Sequence, residues 1–148
     1  MVEDENNFDE VQDAFEEGLQ EGLALLYSDT LETLDENMRQ GKDALGREWR
    51  PVTQETLQSR QVRTDDPAAL LDSGELRASI QSDSELNLRE LEAVIGSSKE
   101  FLVYHEMGAP EAGIPRRPVL GPAATYAENQ VDETIGVEID TRLQEAEL

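Results

Sequence analysis

From Met1 to Glu36 the chain has no lysine or arginine, yet apolar residues recur through the same stretch mostly at steps of three and four. They are Phe8, Val11, Phe15, Leu19, Leu23, Leu26, Leu31 and Leu34, ending near Met38. That spacing predicts one apolar face of a long helix over residues 8–39. Without cations, the opposite face is anionic and gains nothing from i,i+4 ion pairs, so the helix must draw its stability from packing on a body. Asn6 or Asn7 fits the cap at its start, and Gly41 fits the stop after its last turn. Gly18 and Gly22 fall beside the apolar face, and each costs about 0.8–1.0 kcal/mol relative to alanine inside a helix. Two readings compensate for them: close approach of another helix, including one from a neighbouring subunit, or a local bend.

The body available is one domain, residues 1–148, since a chain of roughly 150 residues buries about 68–70% of its unfolded surface. Its formal charge of −22 repels nucleic-acid phosphates and disfavours DNA or RNA binding as a main function. Ten of its twelve cations are arginine, leaving Lys42 and Lys99. Acid-rich, lysine-poor usage resembles proteins of halophiles, in which molar salt shortens the Debye length to about 3 Å and quiets self-repulsion. The alternative is an ordinary acidic protein. The longest uninterrupted apolar run, Leu23 to Tyr27, is far too short to span a membrane. The acidic N-terminus lacks the cationic and apolar segments of an export signal. With no cysteine and one histidine, thiolate chemistry, zinc sites and multi-histidine sites are excluded.

Further along, Arg39 to Arg63 is the one net-positive region. Gly46 and Pro51 bracket Trp49 in an expected ordered loop, followed by a short helix after Thr53 and a turn at Thr64-Asp65-Asp66-Pro67. Asp72 and Glu75 have capping-box spacing for another short helix. Partial alternation suggests two antiparallel strands, Ser79 to Ser84 and Leu86 to Gly96. Ser97 or Ser98 fits the cap of a helix through Phe101, Leu102, Tyr104 and His105, closed by Gly108, and Ala109 to Pro118 reads as a loop. Pro122 fits a first helical position, after which Tyr126 or Ala127, Val131, Ile135, Ile139 and Leu143 repeat near every fourth residue. This predicts a second long helix over 122–146.

Three segments in order carry a family resemblance. They are Gly46-Arg47-Glu48-Trp49-Arg50-Pro51 followed by Thr56; Leu71-Asp72-Ser73-Gly74-Glu75-Leu76-Arg77-Ala78-Ser79-Ile80; and Gly96, then Tyr104-His105-Glu106-Met107-Gly108 and Ile114-Pro115-Arg116-Arg117-Pro118-Val119-Leu120. Over about Gly41 to Ile135 the chain resembles the phage virion morphogenesis proteins, the tail-completion and head–tail joining family. It departs from the family pattern at Arg116, where a small residue is frequent, and at Val119, where an aromatic is common. The resemblance implies a small α+β protein without catalytic residues, forming a homo-oligomeric ring, expected to be hexameric, in the virion neck or tail. Its implied partners are the tail tube or terminator protein and the head connector, with genome DNA passing through unbound and no membrane involved. Residues 41–121 are then the family core. The saline composition adds the expectation of a tailed virus of halophilic archaea, assembled in the host cytoplasm.

Chemistry-bearing candidates are sparse. His105 at a helix end reads as structural rather than as an acid–base group, and Ser73 and Ser97 lack a nucleophile elbow. Among 34 acids a carboxylate pair carries no signal, and no calcium-loop pattern occurs, so no metal or cofactor is expected. The interface candidates are Arg116 and Arg117, held between Pro115 and Pro118, with Trp49, Arg47, Arg50, Gly18 and Gly22. The arginines read either as contacts to an adjoining subunit or as internal ion pairs. Trp49 reads as an interface anchor or a core residue. The expected architecture is α+β, with long N- and C-terminal helices packed on a small antiparallel sheet and short helices between them. The expected function is a non-enzymatic ring joining tail to connector. Its rivals are an adaptor or stopper ring, a small virion hydrolase, and an acidic host protein that binds a basic partner.

Overall fold

The computed structural model describes residues 2–50 and 74–146, with side chains from Phe8 onward except at position 112. The expected helix after Thr53, the Thr64–Pro67 turn and the Asp72 cap lie outside the described residues. In chain order the elements are helix α1 (Val2–Arg39), helix α2 (Glu75–Asp83), strands β1 (Glu85–Asn87) and β2 (Glu92–Val94), and helix α3 (Phe101–Met107). A 3-10 turn (Pro110–Ala112), helix α4 (Leu120–Val131), a π-helical turn (Asp132–Gly136) and helix α5 (Val137–Glu145) follow. Long terminal helices with a two-stranded antiparallel sheet make the chain α+β.

Helix α1 begins six residues before Phe8, so Asn6 and Asn7 lie inside it rather than at its cap. It stops at Gly41 as expected. Gly41 has φ +74, the Lys42 N–H donates to the Asn37 carbonyl at 2.9 Å, and the Gly41 N–H donates to the Met38 carbonyl at 3.0 Å. Those two bonds are a Schellman ending, in which a left-handed glycine satisfies carbonyls the helix would leave open.

The buried row of α1 differs from the expected apolar face. It runs in steps of four through Ala14, Gly18, Gly22, Leu26, Thr30, Leu34 and Met38, with Leu31 beside it. Phe8 is 68% exposed, Phe15 46% and Val11 38%. Hydrophobicity marks which side chains prefer burial, but the glycines decide which side of a helix another backbone can approach.

The described residues of Met1–Asp29, Leu86–Val94 and Ala127–Leu148 form one compact unit, and those of Thr30–Glu85 and Ile95–Tyr126 form a second. In the first unit, a Cβ at Gly18 would stand 2.7 Å from the Ile139 Cα, and one at Gly22 would stand 2.7 Å from the Ile135 Cα. The two segments are therefore antiparallel and in backbone contact, which is the close helix approach, here from the same chain. The Ile135 turn is π-helical, and its wider winding slows the drift of a row spaced by four residues. Arg142 reaches Glu17 at 3.8 Å and Glu21 at 3.7 Å, and the Gln20 amide donates to the Leu88 carbonyl on the hairpin at 3.4 Å.

The second unit buries Leu31, Leu34, Met38, Ala44, Trp49, Leu76, Ile80, Leu102, Val119 and Ala123. Ser79 to Asp83, expected as a strand, belongs to α2. Leu76, Ser79 and Ile80 are all buried at helical spacing, a stronger pattern than the short alternation after Ser79. Both strands instead fall around Leu86 to Gly96, reversing through a turn in which the Asn87 side chain accepts the Glu90 N–H at 3.1 Å. Leu91 takes φ +52 there, unusual for a residue with a branched side chain.

The expected caps of α3 are engaged elsewhere. Ser97 Oγ lies 2.5 Å from Ser79 Oγ, while the Ser98 N–H and hydroxyl both donate to Asp83 at 2.8 Å. The Ser98 N–H and then its hydroxyl hold the Asp83 carboxyl below the usual range. Gly108 does close α3, at φ +78. The last helical run begins at Leu120, so Pro122 is its third residue, where a missing N–H is still harmless. It ends at Glu145, with α4, the π turn and α5 continuous in sequence.

Candidate functional site

The described parts of the motif segments lie in the second unit, where Arg47–Arg50 and the stretch from His105 to Pro118 are bonded to each other. Asp43 organises the first of them. It is buried, and its Oδ1 accepts the N–H groups of Leu45 at 2.9 Å and Arg47 at 3.0 Å, while Oδ2 takes the Arg47 Nε at 3.1 Å. Gly46, at φ +84, lets the chain reverse beneath it, and the backbones of Lys42 and Glu48 form an antiparallel bridge across the turn. The Asn37 amide donates to the Asp43 and Ala44 carbonyls at 3.0 and 3.3 Å. A segment without helix or strand is thereby held through its backbone, because its own donors and acceptors are satisfied.

Trp49 is a core residue, 6% exposed, and its indole N–H donates to the Pro118 carbonyl at 2.9 Å. Arg117, also buried, donates its Nε to the Arg50 carbonyl at 2.6 Å, and its N–H bonds the His105 carbonyl at 2.7 Å. These bonds tie the Arg47–Arg50 loop to the Pro115–Pro118 loop. Ala109 and Ile114 exchange two backbone bonds at 2.9 and 3.0 Å, closing the intervening turn. A Cβ at Gly108 would press within 3.3 Å of the Arg116 backbone and Cβ. Glu106, absent from the expected site residues, completes the arrangement. Its carboxylate accepts the N–H groups of Val119 at 2.8 Å, Leu120 at 2.7 Å and Gly121 at 3.1 Å.

His105 sits within this framework with its Nδ1 buried and unbonded, its ring edge-on to Phe101 at 6.4 Å. Burial first, and the Arg117 charge second, push its pKa below the usual histidine value. Neutral imidazole is favoured, as suits a packing residue.

What the network leaves at the surface is rich in arginine, with Glu48 exposed beside the cations. Arg47, Arg50 and Arg116 are exposed, Arg47 pairing with Asp43 and Arg116 donating its Nε to the Glu106 carbonyl at 3.1 Å. With Asp43, Glu48, Trp49 and Pro118 they line an open hollow of about 520 Å³. A second hollow of about 360 Å³ is shared by Arg50, Arg116, Met107, Pro110, Ile114 and Pro115. Gly18 and Gly22 lie in the other unit, where they admit the C-terminal helical run. Among the described residues, no group of three or more histidine, cysteine or acidic side chains is placed to hold a metal ion.

Of the residues that sequence reading passed over, Asp43 had a local signal: Asp-Ala-Leu-Gly is a side-chain-capped turn pattern. Glu106 had none, since the N–H groups it accepts lie 13 to 15 residues downstream.

Fold and site together define an α+β module whose motif residues lock two loops into a fixed, arginine-bearing surface. The chain belongs to the phage virion morphogenesis family, whose model matches residues 9–139 and so takes in most of α1 as well as the motif region. No curated protein and no solved structure matches it. Its role is accordingly a structural one in phage virion assembly. Among the described residues, no helix is long and apolar enough to cross a membrane.

Proposed function

We propose that the protein completes the tail by forming a closed ring, hexameric in the form the family resemblance implies, that joins the tail tube to the head connector. The observation that carries this reading is the family match across nearly the whole described chain. The site supports it, because loops locked by backbone bonds present arginines at fixed positions, as a mating surface requires. Partners are recognised by shape and charge without chemical turnover, and closed rotational symmetry repeats the same surface around the ring. A chain carrying −22 charges lets DNA pass without adhering. The composition further suggests a virus of a halophilic, archaeal host.

Imaging the virion neck and locating this chain's density tests the proposal. A ring between tail tube and connector supports it. Density on the connector face assigns the chain instead to an adaptor or stopper ring, and absence from mature particles refutes both positions.

A further inference from the structure

In a chain with 34 acidic residues, the solvent side of α3 carries no charge. The four exposed residues of this helix are Phe101, Val103, Tyr104 and Met107, with Val103 60% and Met107 74% exposed. Phe101 and Tyr104 stand at i, i+3 and Val103 and Met107 at i, i+4, so the four share one side. The acid of α3, Glu106, is half-buried and spends its carboxylate on the N–H groups of Val119, Leu120 and Gly121. An apolar side of this kind on an otherwise charged surface marks a contact.

Met107 joins that side to the hollow of about 360 Å³, which is lined besides by Arg50, Arg116, Pro110, Ile114, Pro115 and two glycines. No carboxylate among the described residues lines it. The larger hollow differs, since Asp43 and Glu48 stand there among the arginines. Glu100, just before α3, and Glu111, in the 3-10 turn, are exposed, but neither lines the smaller hollow. Among the described residues Arg50 and Arg116 make no ion pair, so two guanidinium groups border an apolar recess without a counter-charge.

We propose that the exposed side of α3 and this hollow form one docking surface for a segment of a different virion protein, in which apolar or aromatic side chains are flanked by carboxylates. The apolar side chains enter the hollow and cover Val103 and Met107, whose thioether adapts to an aromatic ring. The carboxylates meet Arg50 and Arg116, which engage such groups bidentately. A second copy of the chain is the poorer occupant. The exposed stripe Phe8, Val11 and Phe15 on α1 has Gln12, Ala14, Gly18 and Leu19 for neighbours, and at the hairpin tip Arg89 offsets Glu90 between Leu88 and Leu91. Copies carrying −22 charges also repel one another. The proposal rests on the reading of the chain as a joining protein and names the chemistry of one partner.

Panning a library of random ten-residue peptides against the full-length chain tests it, in KCl at a concentration where circular dichroism shows the native fold. Retained peptides are expected to share an aromatic or large aliphatic residue flanked by aspartate or glutamate. Their synthetic copies should shift the methyl NMR signal of Met107 and leave that of Met38, which is 1% exposed. Replacing their acids by amides should weaken binding about tenfold, as should Arg50→Gln with Arg116→Gln. Val103→Ser should weaken it through the apolar side. Unchanged circular dichroism verifies each fold, and Arg50→Gln alone, whose side chain makes no bond among the described residues, serves as a milder version. Retained peptides without acids, binding that ignores the arginine variants, or no retained peptide overturns the proposal. Sedimentation velocity separates this failure from failure of the ring. The same ring-sized species from wild type and double variant leaves the surface to a partner and supports the proposal. A ring from wild type with a monomer from the double variant shows a second copy on the surface, which overturns the proposal while the ring stands. A wild type that stays monomeric yet binds the acidic peptides overturns the ring alone.

Discussion

The Glu106 carboxylate accepts the Leu120 N–H at 2.7 Å, so the last residue but one of α3 caps the first residue of α4 across 14 positions of sequence. Its second oxygen takes the Gly121 N–H, Pro122 has no N–H to satisfy, and the Ala123 N–H reaches the Val119 carbonyl at 3.4 Å. The open donors of the first turn are thus all accounted for. A negative group at this end also meets the positive pole of the helix. Glu106→Ala is expected to destabilise the chain by about 2–3 kcal/mol, and Glu106→Gln by roughly half of that, because an amide keeps one acceptor without the charge. Urea denaturation followed by circular dichroism measures both.

Gly18 and Gly22 invert the usual propensity rule. Alanine should favour a helix by about 0.8–1.0 kcal/mol. Here its Cβ would meet backbone atoms of Ile139 or Ile135 at 2.7 Å. Gly18→Ala and Gly22→Ala are each expected to lose about 1–3 kcal/mol through overpacking. Gly136→Ala, where a Cβ meets nothing within 4 Å, is expected to be neutral or stabilising in the same urea assay. A stabilised Gly18→Ala would contradict the backbone contact.

Trp49→Phe keeps most of the buried aromatic surface but leaves the Pro118 carbonyl without its indole donor. A buried acceptor stripped of its partner costs about 1–3 kcal/mol. The loss should appear as a lower urea midpoint with an unchanged slope, since the surface exposed on unfolding is nearly the same.

His105 gives the stability a pH dependence of known sign. Its folded pKa lies below 6.5 because burial, then Arg117, disfavours the charged ring. Between that lowered value and 6.5 the unfolded chain binds more protons, so stability falls as pH drops through this window and is fully present above it. Since the chain has one histidine, a single ring signal in a proton NMR titration reports its pKa directly. His105→Gln should flatten the stability profile in this range. A signal titrating above 6.5 would contradict the buried environment.

Salt is the last variable. Reducing KCl from about 1 M to 0.1 M lengthens the Debye distance from roughly 3 to 10 Å, so carboxylates across the surface begin to repel one another. Circular dichroism and sedimentation should both show weakening of the fold or of the assembly. Identical behaviour at the two concentrations would remove the basis for a saline origin.

Local signals were legible wherever the physics is local. The steps of three and four from Phe8 to Met38 placed α1, Gly41 and Gly108 marked where helices stop, and the repeat ending at Leu143 placed the last helical run. Over Ser79–Ser84 a six-residue alternation gives way to helix, because it is weaker than the helical set Leu76, Ser79 and Ile80. The motif segments marked a region but hid its division of labour. Of two adjacent arginines, Arg117 is buried under the Arg50 carbonyl while Arg116 faces outward, and nothing in a Pro-Arg-Arg-Pro run distinguishes them.

By itself, then, the sequence determined the two long terminal helical runs and where helices stop at Gly41 and Gly108, the acidic surface, and the family to which the chain belongs. Each of those follows from residue type and near-neighbour spacing. Only the tertiary structure decided that α1 buries its glycine row and exposes its phenylalanines, and that Glu106 caps α4. It alone set Trp49 to hold Pro118. Those outcomes depend on which backbone comes within contact distance, and a one-dimensional pattern of hydrophobicity carries no record of that distance.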